Sequence, residues 1–170
     1  MSIKSNLPEW CRRWLGASAK GYRVLSILRS RYADERQRAA RLTQHAQKMQ
    51  DPLFREALLR IAADKSRHGD WIAEKINEIG GSLPPERTIS STERNSWQYL
   101  LDDLEVERQS SAELEKAMLT IASDYPEIVV ILQRIDKEKH KHRDEIREML
   151  MRIRRPSGRP PSVRRILYRQ

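Results

Sequence analysis

A single cysteine, Cys11, stands in a chain of 170 residues. That excludes an internal disulfide framework and any zinc site built from thiolates. Only six glycines occur, too few for a turn-rich sheet protein, so long helices are the expectation. No apolar run approaches the roughly 18 residues that a membrane span needs. The first residues lack the apolar stretch and small-residue cleavage site of a secretory leader, so a cytoplasmic chain is expected. The sequence holds no glycine-rich phosphate loop, no catalytic-triad pattern and no defined DNA-reading motif.

What the chain does have is charge: 34% of its residues are Asp, Glu, Lys or Arg, against 38% hydrophobic. With this length, that suits one domain of amphipathic helices around a real core. The net charge of +9 is unevenly spread. Residues 151–170 hold seven arginines and no acid, +7; residues 1–31 hold seven basic residues against Glu9, +6; the body between sits near −4. Attraction to nucleic acid or an anionic surface should therefore reside at the ends.

Steps of three and four mark one helical face on Leu25, Leu28, Tyr32, Glu35, Ala39, Leu42, Ala46 and Met49, predicting a helix over about 18–49. Asp51-Pro52 reads as an N-cap followed by proline at the first helical position. The second helix carries Phe54, Leu58, Ile61, Lys65, His68, Ile72 and Ile76, and stops at Gly80-Gly81. The third is expected to open with a capping box from Ser90 to Glu93. Its seam is Trp97, Leu100, Leu104, Glu107, Ser111, Leu114 and Met118. The fourth follows Pro126 with Ile128, Leu132, Ile135, Lys139, His142, Ile146, Met149 and Ile153. Short turns make each pair antiparallel, and the longer segment GGSLPPERTI has the reach to cross the bundle. The expected layout is a basic, Trp-containing segment over 1–17, an all-α four-helix bundle over 18–153 and an arginine-rich tail over 154–170. In the first segment Trp10, Trp14 and Leu15 with Arg12 and Arg13 suit either an interfacial amphipathic stretch or a cap on the bundle.

Two segments of the chain repeat. From Arg60 and from Arg134 onwards, seven of seventeen aligned positions agree, among them Lys65/Lys139 and His68/His142. Each falls on an apolar seam, as do Glu35 and Glu107. Each half thus gives one glutamate, then a lysine and a histidine some thirty residues later. His45, at the edge of its helix's apolar face, and His140, on the side away from His142, do not share this status.

On these residues the region 20–150 resembles the ferritin-like superfamily, particularly rubrerythrin-type domains. The resemblance implies two helical hairpins joined by a crossover. It also implies six side chains holding two iron or manganese ions: a Glu from the first and third helices, and Glu-x-x-His from the second and fourth. Glu35 and Glu107 match the single glutamates, and His68 and His142 match the histidines. Lys65 and Lys139 stand where both remaining glutamates belong. Asp64 and Glu138, one residue earlier, point about 100° away and do not simply replace them.

Two carboxylates facing two ammonium groups balance without metal, so a metal-free ionic core on Lys65 and Lys139 is the leading expectation. A reduced iron or manganese site on Glu35, His68, Glu107 and His142, serving an oxidoreductase, is the alternative. A third reading has Arg152, Arg154, Arg155, Arg159, Arg164, Arg165 and Arg169 contact phosphates without reading sequence. In the first reading no cofactor is expected, and the chain works through interaction or assembly, as a homo-oligomer or against an anionic partner.

Overall fold

The computed structural model describes residues 18–85 and 94–153. Four helices account for the regular structure: α1 (Ser18–Lys48), α2 (Pro52–Glu78), α3 (Ser96–Ile121) and α4 (Pro126–Arg152). Among the described residues there is no strand, and no helix is long and apolar enough to cross a membrane.

The punctuation of these helices has local causes. Asp51 accepts from the Leu53 backbone N–H at 2.8 Å, and Pro52 fills the position where no N–H is required. α2 ends in a Schellman arrangement, with Gly81 N–H bonded to Ile76 C=O at 2.8 Å and Gly80 N–H to Asn77 C=O at 3.0 Å. Gly80 takes φ 73°, a left-handed conformation that favours glycine. Gly81 is needed for another reason, because a side chain there would run into Leu25 and Ile76. α3 departs from expectation. Ser90 to Glu93 lie outside the described residues, and the capping box is made by Asn95 and Gln98 instead. Asn95 Oδ1 accepts from Gln98 N–H at 3.0 Å, and Gln98 Oε1 accepts from Asn95 N–H at 3.1 Å.

Contacts between helices give their directions. Lys20 meets Asp124 just past the end of α3, and along the helices Arg31 meets Glu113 and Lys48 meets Tyr99, so α1 and α3 run antiparallel. Along α2 and α4, Arg60 meets Glu145 and Arg67 meets Glu138, again antiparallel. The short connections at 49–51 and 122–125 make hairpins of α1–α2 and α3–α4. Backbones approach most closely within each hairpin; α1 also packs on α3, and α2 on α4. Arg29 holds Ser82 beside α1's first half, whereas α3 begins near Lys48. The chain between Glu78 and Ser96 therefore joins opposite ends of the bundle.

The core repeats with the sequence. Leu28/Leu100 and Leu42/Leu114 on α1/α3, and Leu58/Leu132, Ile61/Ile135 and Ile72/Ile146 on α2/α4, are all buried at matching places. Burial of each such side chain contributes about 1.5–3 kcal/mol. At the start of α1 the core position falls to Val24, while Leu25 is only partly covered. The apolar interior is divided in two. One cluster holds Leu42, Met49, Leu58, Leu100 and Ile146, the other Leu28, Ile72, Leu114, Ile128 and Leu132. Between them lies a band of charge.

Candidate functional site

The same seam spacing that aligns the apolar residues delivers polar ones to the middle of the bundle. Lys65 is 0% exposed, Lys139 1%, Glu35 3%, Glu107 2%, His68 0% and His142 3%. A buried ammonium without a partner would be strongly disfavoured. Here the partners are supplied mainly across the halves. Lys65 Nζ lies 2.7 Å from Glu107 Oε2 and 3.6 Å from Glu35 Oε2. Lys139 Nζ lies 3.1 Å from Glu35 Oε1 and also donates to the Ser110 hydroxyl. Arg38 Nη1 approaches Glu107 Oε1 at 3.6 Å from the rim.

The histidines close the band on the α2–α4 side. His68 Nε2 faces Glu138 at 2.9 Å, and His142 Nε2 faces Asp64 at 3.0 Å, each reaching the acid of the other half. Arg67 ties the two acids together, at 2.7 Å from Asp64 and 2.8 Å from Glu138. The imidazole rings stack at 6.0 Å. His68 Nδ1 also faces Glu35 at 3.3 Å, so its two nitrogens meet two carboxylates. His142 differs, because its buried Nδ1 has no hydrogen-bond partner. A neutral ring with the proton on Nε2 suits that setting.

Protonation follows the same geometry. Burial pushes the Glu35 carboxyl up, but Lys65, Lys139 and His68 outweigh it and hold it well below the ordinary range. Burial raises Glu107 too, yet Lys65 and Lys139 bring it below normal. Lys139 is lowered, by burial first and by Lys65, against the pull of Glu35. Burial lowers His142, helped by Lys65 and opposed by Asp64. Asp64 and Glu138 are raised by burial but end below normal, through His142 and Arg67 for the first and His68 and Arg67 for the second.

Sequence reasoning brings Glu35, Lys65, His68, Glu107, Lys139 and His142 to one band; the geometry buries all six there, joins Glu35 to Lys65, Lys139 and His68 and Glu107 to Lys65, and turns His142 to Asp64. It misses three features. Asp64 and Glu138 point away from their own half's site but meet the opposite half's histidine, because the antiparallel register of α2 and α4 presents them there. His45 is buried, with Nδ1 2.7 Å from Asp103 Oδ2 and its ring against Tyr99; its place at the edge of the apolar face was the one signal in the sequence. Arg38 and Ser110 are matching positions of the repeat and complete the network differently in each half. His140 is exposed beside Asp136, at 3.4 Å. Of the phosphate-contact candidates only Arg152 lies within the described residues, exposed and 3.7 Å from Glu148; Arg154, Arg155, Arg159, Arg164, Arg165 and Arg169 lie outside them.

A pair of iron or manganese ions needs carboxylate oxygens and imidazole lone pairs converging on shared points. In this arrangement the glutamates converge on ammonium nitrogens, and both imidazole Nε2 atoms are directed at carboxylates. Among the described residues no three His, Cys, Asp or Glu side chains form a metal-holding group. As arranged, Glu35, His68, Glu107 and His142 do not fit such a centre. No protein-family model and no curated protein matches the chain.

Proposed function

We propose that this is a ferritin-like bundle in which an ionic network has replaced the two-metal centre, and that it acts through interaction or assembly and not by catalysis. The observation carrying the reading is the pair of enclosed ammonium groups at the glutamates that would otherwise hold metal: Lys65 is within salt-bridge distance of both Glu35 and Glu107, and Lys139 of Glu35. Two positive and two negative charges cancel, with no further ion required. The long connection between oppositely placed ends of α2 and α3 supports the ferritin-like part of the reading. The enclosure supports the non-catalytic part, since a substrate reaches the network only if the hairpins separate.

The test is metal content. Protein purified without chelator should carry iron and manganese far below stoichiometry. The double variant Lys65→Glu/Lys139→Glu should acquire metal, because it completes the six-ligand set of the family that the chain resembles. Stoichiometric metal on the unaltered protein would instead favour an oxidoreductase with a reduced site. A folded double variant that stays empty would break the correspondence of both motifs.

A second reading rests on the charge division, an acidic body between basic ends: the arginine-rich tail contacts nucleic acid or another anionic surface through phosphate groups.

A further inference from the structure

The bundle accounts for two of the chain's four tryptophans. Trp71 lies against His68 and Arg134, and Trp97 packs on the cluster around Leu42 and Leu100. Trp10 and Trp14 lie outside the described residues, but their sequence has a pattern. Ile3, Leu7, Trp10 and Trp14 follow one another at steps of four, three and four, the spacing of a helical seam. Asn6 and Glu9 repeat the spacing of the Asn95–Gln98 cap of α3, with Pro8 at a first-turn position. Gly16 punctuates the run before α1, and Arg12 and Arg13 fall off the seam. A helix this short is not stable alone in water, and two bare indoles make an apolar surface that a single chain rarely shows. The stripe needs something to cover it.

Such a surface lies where the segment attaches. The chain enters α1 at Ser18, and Lys20 and Arg23 in the opening turns line a cleft of about 140 Å³. Thr120, Ile121, Asp124 and Tyr125, from the end of α3 and the turn after it, form the other wall. At the same end of the bundle Tyr22, Leu119 and Val130 are 68%, 76% and 63% exposed, although each is large and hydrophobic. Met118, Tyr125 and Val129 are only partly covered there. The acids Asp124 and Glu127 at this end are opposite in sign to Arg12 and Arg13.

We propose that residues 7–15 dock on this end of their own bundle, with Trp10 and Trp14 covering the cleft and Leu119. The occupant is the chain's own segment, because attachment at Ser18 holds it there at an effective concentration in the mM range. A membrane or a second copy has no such advantage. Docking takes both indoles out of water and closes the bundle at the end opposite the one where α4 stops. The inference rests on the cleft and the stripe, not on the metal reading.

The lone thiol supplies a test. Cys11 sits on the stripe, three and four residues from Trp14 and Leu7. Thr120→Cys puts a second thiol on the cleft wall. Asn77→Cys puts one at the same end of the bundle, on α2, as a control for tethering alone. Under mild oxidation the full chain with Thr120→Cys should close an internal disulfide to Cys11 at least about tenfold faster than the chain with Asn77→Cys. The product is read as a species of the 20.0 kDa chain mass without free thiols, and adding Trp10→Ala/Trp14→Ala should erase the preference. Equal rates at the two positions would mean a segment that is tethered but undocked, and a disulfide formed only between chains would mean a second copy. Either overturns the proposal. A second measurement uses Trp71→Phe/Trp97→Phe, which leaves Trp10 and Trp14 as the only indoles. Their emission should be blue-shifted and shielded from acrylamide in buffer alone. Shielding that arises only on adding vesicles of anionic phospholipid would assign the segment to a membrane surface and overturn the proposal.

Discussion

At the scale of the residue, the informative fact is a pair of lysines enclosed at the centre of the bundle beside two glutamates. A buried ion pair is not automatically stabilising, because desolvation opposes the Coulomb gain. Removing one partner is different, since it strands a charge. Glu35 touches both ammonium groups and His68, so Glu35→Ala should cost about 3–5 kcal/mol at neutral pH, measured by urea unfolding. Its carboxyl is held well below the usual range in the folded state, so the unfolded chain binds the extra proton. The stabilisation is therefore present above the ordinary carboxylate pKa and is lost as pH falls through the depressed value. The gap between variant and unaltered protein should narrow in that acid range; a gap under about 0.5 kcal/mol at pH 7 would show the band to be wet or unpaired. Much of this was legible in advance, because a seam at helical spacing fixes which residues face inward. The roles of Asp64 and Glu138 were not. They depend on how α2 and α4 slide past one another, and one helix considered alone contains no such register.

At the scale of the element, boundaries follow from caps more than from seams. The Ser-x-x-Glu pattern at Ser90 matches the usual capping box, yet Asn95 and Gln98 make the reciprocal bonds at the start of α3. Amide side chains offer the same acceptors, and Trp97, Leu100 and Leu104 set the apolar face that the cap must precede. Asn95→Ala should therefore destabilise the protein by about 1 kcal/mol, read as a lower urea midpoint with an unchanged slope. A loss within experimental error would mean that α3 frays at its start. The Gly80-Gly81 stop and the Asp51-Pro52 start were readable because each has one local cause. The shift from Leu25 to Val24 was not, since it depends on where Gly81 brings the connection back against α1.

At the scale of the whole molecule, the charges separate by position. The bundle balances its own: acids and bases pair along both seams, and the interior band cancels. The excess gathers at the C-terminal end, where residues 151–170 hold seven arginines and no acid, one of them at the end of α4. The apolar interior ends with Met149 and Leu150, and Ile153 packs against it. Removing residues 154–170 should therefore leave helicity and the unfolding midpoint unchanged while deleting six of those seven arginines. If they contact phosphates, the full chain should bind duplex DNA at about 50 mM salt without regard to sequence. Its log affinity should then fall by about 0.9 per log unit of salt for each phosphate neutralised. The shortened chain should lose most of that binding and most of its salt slope, as followed by fluorescence anisotropy on two unrelated duplexes. Binding that survives the truncation would move the contact to the basic N-terminal end, around Arg12, Arg13 and Arg23. If the full chain does not bind even at low salt, where counterion release is strongest, the basic ends do not serve nucleic acid.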